Sequence, residues 1–304
     1  MQNRIIRRFE QSDMAALGAM YAVVSAQENV LFWWVGEESN WENVICAFEG
    51  DTMVAKGQLG IFNVVPPGRL PGSKHKIFVN LKTLPERAND IELLDSVYAP
   101  LLERAQTLKS ILPQEYGTIL CTGNNAAEVS SHVYFEQHLG FLPHSRMYML
   151  RRDLNEPMPV HHLEEGLELT FAQLDSPEER LAYLELDTEI WPDTALGMER
   201  LLEHQEHSLW TSIVVRDAGV VAGSLMVWKE EHGGIIEDVF VREPWRRRGI
   251  AKALLARALQ YLKEHRLEQA QLIAMATNDS ALSLYESVGF EKGQQEIRYY
   301  TELG

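Results

Sequence analysis

The segment Ile235-Ile-Glu-Asp-Val-Phe-Val-Arg-Glu-Pro-Trp-Arg-Arg-Arg-Gly-Ile-Ala251 decides the fold. It reads as a buried strand, a short basic turn with one glycine, and a helix. Pro244 bars the strand from running on. Ala251, Leu254, Leu255, Ala258, Leu259 and Leu262 then recur at the spacing of one buried helical face. A strand leading into a helix through such a turn aims backbone N–H groups and the positive end of the helix dipole at one point. Arg246, Arg247 and Arg248 add full charges around it. At Gly249 a side chain would stand between the backbone and an incoming anion. A phosphate group is the guest this pattern fits.

Reading outward, a strand at 270–276 leads into Asn278-Asp-Ser-Ala-Leu-Ser-Leu-Tyr-Glu-Ser-Val-Gly-Phe290. Arg246-x-x-Gly249-x-Ala251 together with this segment resembles the paired signature of the GNAT superfamily of N-acetyltransferases, over roughly residues 166–304. The resemblance implies acetyl-CoA as co-substrate, with its pyrophosphate held by the amides and side chains of Arg246, Arg247, Arg248, Gly249, Ile250 and Ala251. It implies main-chain hydrogen bonds from Val239, Phe240 and Val241 to the pantetheine arm and the acetyl carbonyl. It makes Tyr285 the acid for the leaving thiolate and Glu237 the candidate base for the amine. Asn278 either contacts the cofactor or caps the helix carrying Tyr285. On burial alone Tyr285 also suits a core position, since Ala281, Leu284 and Val288 share its face. An ideal strand turns Glu237 and Asp238 to opposite faces, so only one of them is expected to line a site.

The same order of elements occurs twice. Ile5–Glu10 reads as a strand, followed by a helix that begins near Ser12. A hairpin is expected around Glu49-Gly-Asp51 and a strand at Lys76–Leu81. An amphipathic helix follows Asn89-Asp90, then a strand at Thr118–Thr122 and a helix at Glu128–Leu139 that ends at Gly140-Phe141. The chain therefore reads as two tandem α/β (α+β) domains, 1–154 and 166–304, each a mixed, mostly antiparallel sheet flanked by helices. The connector at 155–165 contains Pro157 and Pro159 and lacks periodicity. This layout resembles that of the family's two-domain members, some of which acetylate a cysteinyl pseudodisaccharide. In the first domain Leu84-Pro-Glu-Arg-Ala-Asn89 stands in place of the basic glycine turn, and no glycine occurs from Ser73 to Tyr116. Glu136 takes the position four before Gly140 that Tyr285 takes before Gly289. That domain is expected not to bind the cofactor.

The 28 Lys and Arg against 44 Asp and Glu give a net charge of −16, which disfavours a nucleic acid partner. Residues 155–304 carry −13 of it, so a local basic turn stands in an acidic domain. That contrast suits an anionic cofactor and a cationic co-substrate. Cys46 and Cys121 form no ligand pattern, and no metal is expected. No apolar run reaches a membrane span or a signal peptide, so a cytoplasmic, disulfide-free protein is expected. A P-loop kinase is excluded by the lack of a Gly-x-x-x-x-Gly-Lys-Ser/Thr loop. The leading reading is an acetyl-CoA-dependent N-acetyltransferase acting on a primary amine of a small molecule. The alternative is a non-catalytic acyl-CoA sensor or partner-binding protein. The sequence leaves open monomer or homodimer, and which amine is the acceptor.

Overall fold

In the computed structural model, which describes residues 4–27, 30–192, 194–231 and 233–304, the first half runs β1 (Arg4–Arg8), α1 (Met14–Ser25), β2 (Val44–Glu49), β3 (Thr52–Asn63), β4 (Lys74–Thr83), α2 (Ile91–Ile111) and β5 (Gly117–Asn125). A short α3 (Val129–His132) continues as a π-helical turn, Val133–His138, before β6 (Leu142–Asp153). The second half runs β7 (Leu167–Ala172), α4 (Pro177–Ile190), α5 (Met198–Gln205), β8 (Thr211–Asp217), β9 (Val220–Glu230), β10 (Gly233–Val241), α6 (Ile250–Glu264), β11 (Gln269–Met275), α7 (Asp279–Ser287) and β12 (Glu291–Glu302).

Two compact units result: Met1–Arg146 with Gln295–Gly304, and Met147–Gln294. They do not follow the boundary drawn at 155–165, although residues 154–164 do lack regular structure. In the first unit the strand order is β1-β2-β3-β4-β5-β12. The last strand of the chain closes that sheet, with Glu296↔Asn125 through Glu302↔Ile119 in antiparallel register. In the second unit the order is β6-β11-β10-β9-β8-β7, and Met147–Asp153 of β6 pairs with β11. Each half thus gives its final strand to the other half's sheet. The edge each of these strands closes is set by pairing across long sequence separations.

All neighbours within each unit are antiparallel except β4–β5 and β10–β11. In the second unit one core lies on the α6 and α7 face, where Ile250, Leu254, Leu255, Ala258, Leu259 and Leu262 pack with Leu272, Leu282 and Tyr285. Burial of each such leucine contributes about 1.5–3 kcal/mol. Ala251, expected on this face, is only half-buried, and Ile250 fills the place instead. The helix lies so close to β10 that a Cβ at Gly234 would come 2.4 Å from the Leu262 methyls. The opposite core packs α4 and α5 around Trp210, Met226, Trp228 and Phe240.

Candidate active site

The two parallel strands at the centre of the second unit pair only at Gly234↔Ala270 and Ile235↔Gln271. From Ile236 onward β10 has no strand partner on that side among the described residues, so its main chain lines a split in the sheet. On its other side β10 stays paired to β9, through Phe240↔Ser224 and Val241↔Gly223.

A β-bulge interrupts that pairing between Glu237 and Phe240, with Asp238 at φ +52°. An extra residue in a strand shifts the alternation by one. Before the bulge, Ile235 joins the α4–α5 core and Ile236 the α6–α7 core; after it, Phe240 joins the former, and Val239 and Val241 the latter. The expectation that Glu237 and Asp238 point to opposite faces is therefore incorrect. Glu237 accepts from Arg200 of α5 at 3.3 Å, and Asp238 accepts from the Tyr183 hydroxyl of α4 at 3.4 Å. Both carboxylates face the same helices.

Burial first, and the crowding of acids second, sets their chemistry. Burial, followed by the charges of Glu237 and Asp187, pushes Asp238 up to about 7. Burial also raises Glu237, against the pull of Arg200. Tyr183 lies well above the ordinary phenol range through burial and Asp238, so it donates and does not ionise. Beside this group His204 lies 4.7 Å from the Trp228 ring, and burial holds it down to about 4 as a neutral imidazole. A carboxylate that titrates near neutrality is matched to general-base work at neutral pH. Asp238 was passed over in the sequence because nothing there marks the bulge; the one local hint is that Asp tolerates positive φ better than most residues.

At the far end of β10 the chain turns through Glu243–Trp245 and enters α6. Gly249 is the N-cap, at φ +74°, and Arg247 has φ +66°. A Cβ at Gly249 would meet nothing within 4 Å, so the space before the helix is open. Among the described residues, no group accepts from the amides of residues 247–251. Free amides, residues of positive φ and a helix start together form an anion-binding concavity.

The three arginines differ. Arg246 donates to the Val241 carbonyl at 3.1 Å, and Arg247 is exposed. Arg248 is tied to Glu164 at 2.7 Å and to Asp217 at 3.4 Å, so its charge is already matched and it braces the turn.

Tyr285 is 8% exposed in the α6–α7 core, which also contains Val239, Val241 and Ile250. Burial pushes its hydroxyl up to about 12, so it keeps its proton at neutral pH. Among the described residues, no group accepts that proton. Asn278 caps α7, its side chain accepting from the Ala281 amide at 3.0 Å. Tyr134, nearest to an equivalent in the first unit, is committed to Asp95 at 2.9 Å.

The corresponding turn of the first unit is closed. Pro85–Arg87 forms a 3₁₀ turn, and the amides of Arg87, Ala88 and Asp90 donate to carbonyls within it. Asp90 caps α2 by accepting from Leu93 at 2.9 Å, and Arg87 is held by Glu49 and Asp90. A carboxylate thus stands where a helix start would otherwise receive an anion.

These geometries agree with comparison to known proteins. Residues 148–290 match the model of the Acetyltransferase (GNAT) family. Acetyltransferase SG1711 of Sodalis glossinidius is 32% identical over 101 residues, covering 33% of this chain and 69% of that protein. A mycothiol acetyltransferase of Thermobispora bispora is 27% identical over 169 residues, covering 50% of this chain and 56% of that protein's own length. A solved GCN5-related N-acetyltransferase from Sphaerobacter thermophilus shares the fold at a TM-score of 0.75 and 20% identity, covering 98% of this chain and 95% of the other. The chain belongs to the GNAT acetyltransferase family. It is an N-acetyltransferase of the tandem type, and enzymes of this family use acetyl-CoA as co-substrate. Among the described residues no cluster of metal-ligating groups occurs, and no helix is long and apolar enough to cross a membrane. Cys46 and Cys121 are buried free thiols.

Proposed function

We propose that this chain transfers the acetyl group of acetyl-CoA to a primary amine of a small molecule, with the chemistry in the second unit. The unpaired amides at the start of α6 carry the reading, since they stand beside the open edge of β10 and its bulge. In the first unit the amides of Arg87, Ala88 and Asp90 donate within the turn and the Asp90 carboxylate caps the helix start, which supports a cofactor site in the second unit alone.

The amides of residues 247–251 receive the pyrophosphate, with Arg246 and Arg247 supplying charge. Val239, Phe240 and Val241 hold the pantetheine arm through main chain along the split. The amine arrives as an ammonium ion, drawn to an acidic domain. Asp238 takes its proton, directly or through a water, with Glu237 beside it. The neutral nitrogen attacks the thioester carbonyl carbon, and a main-chain N–H near Val239 holds the oxygen as charge develops on it. Collapse breaks the C–S bond, and Tyr285 gives its proton to the departing thiolate. The products are the N-acetylated amine and CoA. The acetylated nitrogen sheds its second proton, which restores the Tyr285 hydroxyl, and the proton on Asp238 leaves to solvent.

The test is thiol release from acetyl-CoA against a panel of polyamines, amino sugars, amino acids and a cysteinyl pseudodisaccharide. The likeness to mycothiol acetyltransferase supports including the last of these. Amine-dependent release supports the proposal. Tight acetyl-CoA binding without release for any amine would favour a sensor.

A further inference from the structure

The first unit holds a cavity that the proposed chemistry does not use. Strands β4 and β5 pair in parallel from Lys74↔Gly117 to Val79↔Thr122 and then separate. At the separated end lies a cavity of about 490 Å³ lined by Leu81, Lys82, Leu94, Glu128, Tyr134 and Phe135, among others. Small-molecule sites are commonly about 300–1,000 Å³. This volume equals that of about 16 waters at roughly 30 Å³ each.

Its chemistry is specific. Lys82 and Glu128 are the only charged groups among the described residues that line it, and they are paired to each other. Lys82 also donates to Asn124 at 2.8 Å, and the second oxygen of Glu128 accepts from the Asn125 amide at 2.9 Å. Two of the three ammonium hydrogens of Lys82 are thereby used, and its side chain is 4% exposed. Lys82 lines the cavity, and among the described residues no third acceptor for it is found. Buried donors are normally satisfied. The rest of the wall mixes apolar side chains such as Leu81, Leu94 and Phe135 with neutral polar ones such as Gln27, Asn89 and Ser130.

We propose that this cavity binds a neutral amphipathic small molecule through an amide or other carbonyl oxygen that accepts from Lys82, with an alkyl or ring body against Leu81, Leu94 and Phe135. A carboxylate is disfavoured because the Lys82 charge is already balanced by Glu128. A CoA molecule is disfavoured because the Asp90 carboxylate caps the neighbouring helix start and the amides of Arg87, Ala88 and Asp90 are already taken.

N-hexylacetamide is the probe, hexanoate its charged counterpart, and ligand-observed NMR on the full chain the readout. The amide should bind at least tenfold more tightly than hexanoate, because only the acid carries a charge to be stripped of water. The double variant Lys82→Met/Glu128→Gln removes both charges and retains an acceptor for the Asn125 amide. It should weaken the amide at least tenfold, the usual scale for losing a charged hydrogen bond. Val129→Trp at the rim should block entry while leaving thiol release unchanged. No binding of the amide, equal binding to the double variant, or preference for hexanoate would overturn the proposal. Gly249→Glu should leave the amide bound, so failure of the second-unit reading would register separately.

Discussion

Replacing Asp238 with Asn separates catalysis from stability at one atom. Asn adopts the left-handed backbone that the bulge requires about as readily as Asp, and it can still accept from Tyr183. Only the charge is lost. The carboxyl goes from an ordinary 3.8 to about 7 on folding. That gap of about three units corresponds to about 4 kcal/mol at 1.36 kcal/mol per unit, and to roughly 2 kcal/mol once partial solvent contact is allowed for. The sign follows from linkage: a carboxyl whose value rises on folding costs nothing below about pH 4, where both states are protonated. The cost grows as pH rises towards 7 and is constant above it. Asp238→Asn should therefore stabilise the second unit by about 2 kcal/mol at pH 8, or about 4–8 °C in Tm, with a smaller gain at pH 5. The same change should lower kcat/KM by about 10²–10⁴ and remove the rise in rate through pH 7. The assays are calorimetric melting at the two pH values and thiol release across pH 5.5–9. Unchanged or lower stability at pH 8, or activity within about threefold of the parent, would refute the reasoning.

Two further outcomes are expected. Tyr285→Phe should lower kcat about tenfold to a thousandfold with acetyl-CoA affinity unchanged; equal turnover would leave Tyr285 a core residue only. In the first unit, Lys56 is fully buried without a carboxylate partner, and burial pushes it down to about 7. Because its folded value lies below its unfolded one, stability should rise between pH 7 and about 10, be lost as pH falls back over that range, and change little below 7. Urea melts of the parent and Lys56→Met should show that slope only in the parent.

Local chemistry explains what the sequence made legible. The α6 face, apart from Ala251, and the caps at Asp90 and Asn278 are each written in neighbouring residues, and they formed there. The place of Glu136 four before Gly140, where the second domain has Tyr285 before Gly289, was legible too, and it lies in a π-helical turn. What stayed hidden is non-local. The bulge at Asp238 depends on how β9 meets β10, and no residue type announces it. The exchange of β6 and β12 depends on edges formed by residues more than a hundred positions away. Arg248 looked like its two neighbours until Glu164 and Asp217 came within reach.

The most direct measurement is calorimetric titration of acetyl-CoA into the full chain and into Gly249→Glu. The new side chain would project into open space, so the fold should persist despite about 1 kcal/mol of left-handed strain. A carboxylate about 4 Å from a phosphate costs roughly 4 kcal/mol at an effective dielectric of about 20, near a thousandfold in Kd. One acetyl-CoA per parent chain, and none detectable in a folded Gly249→Glu, is the predicted result. Two per chain, or unchanged affinity in the variant, would contradict the account.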